Sequence, residues 1–388
     1  MKITIVQGAF FPVPAVMGGA VEKVWHALSK EFCGHGHEVT HISRQFSGMP
    51  SREVVDGVRH IRVSGFDAPA SLVYLKVLDL IYSLRVLWQL PPADILVTNT
   101  FWLPILVRDR RLGRIYVHVA RYPKGQMRMY GRVARLQTVT RAVANAIELE
   151  VPRLRSLVRV IPYPMIGMAA QCRTWDSVKN RTRQLLFVGR VHPEKGLDLL
   201  LRAVSAIPND RFNRWRLVIV GPSEVRFGGG GEAYLERLKL IAIGVAERID
   251  WRGPVFDPLE LSKLYREASL FVYPSIAEYG ETFGLAPLEA MSHGVPALVS
   301  DLHCFRDYVR DGINGYVFDH RAANAGECLA RRIEECILKP ENLEAAGSSA
   351  LLTARNYSLP TVAEAFLQDF ECLLSGQRCE TGVSVTDV

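Results

Sequence analysis

The sequence predicts an α/β protein built from two doubly wound domains, each around a mostly parallel sheet. Three observations predict it. The chain has 388 residues, which at roughly 100–200 residues per domain suggests two domains or three. Short apolar runs bounded by turn residues alternate with helical patterns through both halves, the signature of parallel strands joined by crossover helices. The alternation lapses once, over residues 162–180, where Pro162 and Pro164 flank a tyrosine and a polar stretch follows. This is read as a linker. Domains are expected at 1–165 and 180–355, followed by a closing helix within 356–375.

The elements follow in order. Residues 3–6 (ITIV) form a buried-strand run. A loop with Pro12, Pro14, Gly18 and Gly19 leads into Val21, Val24, Trp25, Leu28 and Phe32 at helical spacing, closed by Gly34 and Gly36. Strands are expected at 38–43, 58–63, 94–98, 115–120, 136–140 and 158–161. In the second half, strands at 185–188, 217–220, 270–273 and 297–300 are separated by helices over 196–206, 232–243, 258–268 and 284–293. The closing helix, 361–374, carries Val362, Ala365, Phe366, Phe370 and Leu373 on one stripe. Residues 71–90 (SLVYLKVLDLIYSLRVLWQL) are strongly apolar, interrupted only by Lys76, Asp79 and Arg85. Two readings are open: a core-packing helix, or a helix lying on a membrane surface.

Composition excludes several classes. Apolar residues make up 48% and charged residues 22%, which rules out wholesale disorder. No uncharged apolar stretch reaches the ~18 residues of a spanning helix. The opening MKITIVQGAF reads as strand rather than as a signal peptide. Seven cysteines, scattered and odd in number, argue against a disulfide framework or a structural zinc site and for a reducing, cytoplasmic compartment.

Charge is uneven. Residues 1–165 hold 22 Lys and Arg against 11 Asp and Glu, and residues 108–159 alone hold 13 against three. Such asymmetry suits an anionic partner, whether a phospholipid surface, an anionic glycan or nucleic acid, or else a merely solvated Arg-rich surface. The run lacks a convincing order of stacking aromatics, which disfavours nucleic acid.

The chemistry-bearing stretch is 274–301, PSIAEYGETFGLAPLEAMSHGVPALVSD. A strand ends at Pro274-Ser275, a loop presents Glu278 and Glu281, and a helix opens near Phe283-Gly284. Pro287 is tolerated in its first turn, and Glu289 lies further along. Free backbone N–H groups around Phe283, Gly284 and Leu285 make an anion pocket, and Gly284 lets a phosphate approach. Carboxylates on either side can accept hydrogen bonds from hydroxyls. Phosphates flanked by hydroxyl-rich groups describe a nucleotide-sugar. A second basic turn, Gly189-Arg190-Val191-His192-Pro193-Glu194-Lys195-Gly196, can place a guanidinium and an ammonium on phosphate oxygens, or be an ordinary surface turn. Gly18-Gly19 can likewise offer backbone donors to a diphosphate, or simply supply a turn of positive φ. Neither turn is a dinucleotide or P-loop fingerprint. His118, at the tail of an apolar strand, is either a satisfied core residue or a ligand contact. His35, His37 and His41 do not make a convincing metal site.

Together these residues resemble the retaining family 4 glycosyltransferases of GT-B architecture, with two Rossmann-like domains facing a central cleft. The resemblance rests on P-S-x-x-E-x-x-E-x-F-G-L-x-x-L-E-A-M-x-x-G-x-P, which contains the family's E-x7-E as Glu281 and Glu289. It also rests on the Gly189–Gly196 turn, on Gly221 at a strand end, and on Asp311-Gly312-Ile313-Asn314-Gly315-Tyr316. It spans roughly residues 1–375, more loosely in the first half. The resemblance implies that Arg190 and Lys195 hold the donor diphosphate, with Gly189 and Gly221 beside it. Glu281 would bind the donor sugar and Glu289 the ribose. Phe283, Gly284 and Leu285 would give backbone contacts, and the region around Val255 would contact the base. The Gly18-Gly19 loop would close over the diphosphate, and His118 would lie near the sugar. The position after the double glycine and Ala is Val21, with Glu22 next, where relatives often carry Glu directly.

The implied activity is retaining, metal-independent transfer of a hexose from a UDP- or GDP-sugar to a hydroxyl of a glycan, glycolipid or small molecule, in cell-envelope or polysaccharide biosynthesis. The donor is a substrate, and no further cofactor is implied. The acceptor would be bound by the first domain, and its basic excess suits a phosphorylated or lipid-linked acceptor at the inner membrane face. A nucleotide-sugar epimerase or a phosphorylase of the same architecture is the alternative, and a nucleic-acid-binding protein a distant one.

Overall fold

The computed structural model describes residues 1–69, 71–166 and 181–376. Most of the expected linker, residues 167–180, lies outside them. The chain forms two compact units: Met1–Pro164 together with the segment from Leu359, and Met165–Ser358.

Unit 1 contains β1 (Lys2–Val6), α1 (Ala20–Gly34), β2 (Glu38–Arg44), β3 (Arg52–Val55), β4 (Val58–Val63), α2 (Leu72–Leu87), β5 (Ile95–Thr98), α3 (Leu103–Leu106), β6 (Arg114–Val119), β7 (Arg135–Thr138), α4 (Arg141–Glu150), β8 (Val158–Val160) and α11 (Leu359–Ser375). Its strands lie in the order β3-β4-β2-β1-β5-β6-β7-β8. All neighbours are parallel except β3, which runs antiparallel to β4. β3 was not expected from sequence. As a short edge strand with mostly exposed residues, it has no buried face to impose alternation.

One face of this sheet is covered by α2, α3 and α4, whose Tyr82, Val86, Leu103, Val143 and Ile147 pack on Val6, Ile42, Leu96, Val117 and Leu136. α1 and α11 pack against each other. Phe366 lies 5.1 Å from the Trp25 ring, and Phe370 meets Tyr116 edge-on at 4.9 Å. Within this apolar stripe Asp369 is buried, paired with Arg135 at 2.7 Å and accepting the Tyr116 hydroxyl at 2.9 Å. Cys372, later in the same helix, is disulfide-bonded, which the scattered cysteine pattern did not anticipate.

Unit 2 contains β9 (Gln184–Val188), α5 (Leu197–Ala206), β10 (Arg216–Val220), α6 (Glu232–Ile241), β11 (Ile249–Gly253), α7 (Pro258–Glu267), β12 (Leu270–Tyr273), α8 (Leu285–Ser292), β13 (Ala297–Ser300), β14 (Gly315–Phe318), α9 (Ala325–Leu338) and α10 (Pro340–Arg355). Its six strands are all parallel, in the order β11-β10-β9-β12-β13-β14. The chain starts in the middle at β9, builds outward to β11, then crosses to β12 and builds the other way. The strand order therefore reverses between β9 and β12. At such a reversal the flanking loops part at the carboxyl ends of the strands, and ligands bind there.

Among the described residues no helix is long and apolar enough to cross a membrane.

Candidate active site

The reversal in unit 2 gathers most of the second-half candidates. β9 runs into Gly189 and the basic turn, and β12 runs into Pro274 and the glutamate-bearing loop. The two segments are stitched together. The Ile276 N–H donates to the Glu194 carbonyl (2.9 Å), and the Ser275 hydroxyl donates to the same oxygen (3.1 Å). Gly196 permits the approach: it has φ +68°, and a Cβ there would stand 2.0 Å from the Pro274 carbonyl oxygen. Gly221, after β10, serves the neighbouring strand end in the same way, since a Cβ would fall 1.8 Å from the Gly189 oxygen.

Lys195 and Glu281 meet at this seam. The Lys195 Nζ lies 2.6 Å from Glu281 Oε2, both side chains about nine-tenths buried. The Tyr273 hydroxyl donates to the same carboxylate oxygen at 3.1 Å, and the ammonium stands over the Tyr273 ring at 5.2 Å. Burial and the adjacent carboxylate push the Tyr273 phenol well above its ordinary range, so it stays protonated and donates. An ammonium carries three N–H donors, so Lys195 can hold Glu281 and still reach an incoming oxyanion. The sequence reading gave Lys195 to the phosphate and Glu281 to the sugar. It did not foresee their ion pair, nor Tyr273, which ends an apolar strand run and reads as core.

Beside the pair, α8 begins at Gly284, which caps the helix with φ +78° and without a side-chain cap. The Tyr308 hydroxyl lies within hydrogen-bonding reach of the carbonyl oxygens of Phe283 (3.0 Å) and Gly284 (2.7 Å). In a trans peptide the N–H points opposite to the preceding carbonyl. Holding those two oxygens therefore turns the N–H groups of Gly284 and Leu285 the other way. The buried Phe283 ring is wedged between Tyr308 (5.5 Å) and Tyr357 (6.1 Å), so its side chain anchors the turn. Further along α8, Glu289 accepts the Tyr265 hydroxyl at 3.0 Å, and Tyr265 is likewise held protonated by burial and by that carboxylate.

Arg190 is half-exposed and donates to the Gly228 carbonyl at 2.8 Å, with Glu194 at 4.0 Å. Val255 follows β11 and is half-buried. Next to it, the exposed Phe256 ring meets Phe227 edge-on at 5.9 Å. This aromatic pair was not anticipated, because two lone phenylalanines in turns carry no periodic signal. Glu278, presented by the same loop, is taken up by Arg321 (2.7 Å) and His320 (2.9 Å) and braces the loop.

The first-half candidates lie in unit 1. Gly18 and Gly19 both have positive φ, and Gly19 opens α1. A Cβ at Gly19 would come within 2.2 Å of the Glu22 carboxylate, whose pKa burial raises. His118 is buried. Its Nδ1 lies 2.5 Å from Gln137 Oε1, its Nε2 lies 3.1 Å from the Tyr163 hydroxyl, and Trp25 packs on it edge-on. Burial lowers its pKa to about 4, so the ring is neutral. Both ring nitrogens thus have partners within unit 1.

Residues 175–351 match the family model of the glycosyl transferases group 1. The chain is 33% identical over 199 residues to a D-inositol 3-phosphate glycosyltransferase of Streptomyces griseus, covering 50% of this chain and 40% of that protein. It is 34% identical over 194 residues to the lipopolysaccharide core biosynthesis mannosyltransferase LpcC of Rhizobium leguminosarum, covering 49% and 51%. The chain thus spans about half or less of the length of these relatives. The structure of a sucrose-phosphate synthase from Thermosynechococcus elongatus superposes with a TM-score of 0.76 at 18% identity, over 97% of this chain and all of that one. The fold is GT-B, two α/β units with parallel sheets. The match to the glycosyl transferases group 1 model falls within unit 2 and takes in somewhat less than half of the chain.

Proposed function

We propose that this protein is a retaining glycosyltransferase that moves a sugar from a nucleoside-diphosphate sugar to an acceptor hydroxyl. The observation that carries the reading is the placement of the Lys195–Glu281 pair beside the N-terminus of α8, which has no side-chain cap, where the strand order reverses. Oriented N–H groups and a cation in one place suit a diphosphate. Carboxylates on either side, Glu281 and Glu289, suit the hydroxyls of the sugar and the ribose. Phe256 and Val255, beyond β11, suit the base.

In this reading the protein's contribution is electrostatic. As the bond between the anomeric carbon and the diphosphate lengthens, negative charge grows on the leaving phosphate. Lys195, Arg190 and the N–H groups of Gly284 and Leu285 offset it. Glu281 fixes the sugar and, through its ion pair, the position of Lys195. The acceptor oxygen then bonds to the anomeric carbon on the face the diphosphate leaves, and its proton passes to the departing phosphate. Charge is balanced by side chains and helix-end amides already present. The relatives suggest an acceptor among phosphorylated polyols or cell-envelope glycans.

Lys195→Ala and Glu281→Ala test the reading. Each is expected to lower transfer, or donor hydrolysis in the absence of an acceptor, by about 10²–10³-fold, with melting temperatures that show a folded chain. Turnover near wild type in either variant would contradict it. A thermal-shift series with UDP, GDP, ADP and their sugars identifies the base.

A further inference from the structure

Helix α2 is apolar nearly all round, yet only one side of it is covered. Leu78, Tyr82 and Val86 face inward and are buried. On the outside, Leu72, Val73, Val77, Ile81, Leu84 and Trp88 are exposed, with Val73 at 75% and Trp88 at 88%. Of these, Val73, Val77, Ile81, Leu84 and Trp88 recur at three- and four-residue spacing, so they form one stripe along the helix. At 1.5 Å per residue the stripe is about 24 Å long. Soluble surfaces rarely leave a contiguous apolar patch of this kind open unless it meets something.

The charges on α2 specify what it meets. Its one acidic residue, Asp79, is buried and accepts the N–H groups of Phe101 (3.1 Å) and Trp102 (3.2 Å). The charged residues left at the surface are Lys76 and Arg85, at the two edges of the stripe: both are exposed, Lys76 over the Phe101 ring at 4.7 Å and Arg85 donating to the Ser64 carbonyl at 2.8 Å. Beyond the carboxyl end of the helix, the Ala93 N–H donates to the Arg111 carbonyl at 3.0 Å, which ties the end of α2 to an arginine-rich loop. There Arg108, Arg110, Arg114 and Arg132 line a pocket of about 800 Å³. The two carboxylates lining it are already engaged: Asp109 with Arg111 at 2.7 Å, and Asp94 with the Lys2 N–H at 2.6 Å.

We propose that the outer face of α2 docks on an anionic phospholipid surface. The Val73–Trp88 stripe enters the boundary between headgroups and acyl chains. Lys76, Arg85 and the four pocket arginines bind lipid phosphates. An apolar stripe with exposed cations at its edges complements such a surface in both respects. A second copy of the chain complements it poorly, because a two-fold contact would set these cations against themselves. The inference stands apart from the transferase reading: the helix belongs to unit 1, the candidate active site belongs to unit 2, and the test needs no donor.

The test is flotation of the full chain with vesicles of phosphatidylcholine, with and without phosphatidylglycerol, at near-physiological salt. The expected result is capture by the anionic vesicles only, with a blue shift in tryptophan emission that Trp88→Phe removes. Ile81→Glu with Leu84→Glu should weaken capture about tenfold or more, and Arg110→Glu with Arg132→Glu should weaken it while leaving the apolar stripe intact. Unchanged melting temperature and unchanged stabilisation by nucleotide certify both variants as folded. Failure of the wild-type chain to float, equal capture by neutral vesicles, or indifference to Ile81→Glu with Leu84→Glu would overturn the proposal. So would a lipid-free dimer that the same pair of substitutions dissociates and that vesicles do not capture.

Discussion

At the scale of single residues, the buried charges and polar groups divide into two kinds. Lys195, Glu281 and Tyr273 form a cluster whose members retain unused hydrogen-bonding capacity, as a binding site requires. His118 has both ring nitrogens engaged and is held neutral by burial. The distinction has a consequence for acid stability. His118 titrates at about 4 in the fold because burial disfavours its charged form, against roughly 6.5 in an unfolded chain. Between those values the unfolded state binds the proton and the folded state does not, so stability falls as pH drops from about 6.5 to about 4. The full effect at low pH is roughly 3 kcal/mol at about 1.4 kcal/mol per pKa unit. His41 is wholly buried, and His41 and His60 are shifted in the same direction, which adds to the slope. Melting temperatures of the wild type and His118→Gln, measured from pH 7 to pH 4, should diverge through this window, with the variant showing the shallower decline. Parallel curves would mean that His118 is not buried neutral.

At the scale of elements, the proposed donor site depends on how α8 begins. Gly284 has φ +78°, and a Cβ there would come 2.5 Å from the Phe305 ring. Gly284→Ala should therefore reorient the first turn, reducing nucleotide affinity more than tenfold and lowering the melting temperature. Calorimetric titration with the preferred nucleotide checks the first effect; unaltered affinity would remove the α8 N-terminus from the site. This element was legible in sequence because Pro274, Gly284 and Pro287 punctuate the chain in a way backbone geometry demands, with two carboxylates at a fixed spacing beside them. Helix α2 was legible only in part. Its apolar residues predicted a helix, but which of them lie outward depends on tertiary packing, so the core and surface readings stayed open until burial separated Leu78 and Tyr82 from Val77 and Ile81. The edge strands β3, β11 and β14 were not expected: β3 and β11 have no fully buried face to impose a periodic pattern, and β14 is a buried run of only four residues that begins at a glycine. Tyr308 and Tyr357, which anchor the Phe283–Gly284 turn, lie in stretches whose proximity to it only the fold reveals.

At the scale of the whole molecule, the two units are assembled differently from sequence. Unit 2 is one continuous stretch, whereas unit 1 is completed by α11 from the far end of the chain. Asp369 secures that return through Arg135 and Tyr116. Removing one member of a buried charged cluster leaves the others uncompensated, at a cost of about 3–5 kcal/mol. Asp369→Ala should lower the melting transition of unit 1 by several degrees and expose α11 to limited proteolysis, without changing the nucleotide affinity proposed for unit 2. Coincident loss of nucleotide binding would show that the units do not behave independently.

The central claim is that Lys195, Glu281 and the amino end of α8 together hold the diphosphate of a sugar donor. A crystal structure of the protein with the nucleotide-sugar that stabilises it most tests this directly. The expected density places phosphate oxygens within hydrogen-bonding distance of Lys195 Nζ and the Gly284 and Leu285 N–H groups, with the sugar against Glu281. A donor bound elsewhere, or bound with its phosphates away from these groups, would contradict the account.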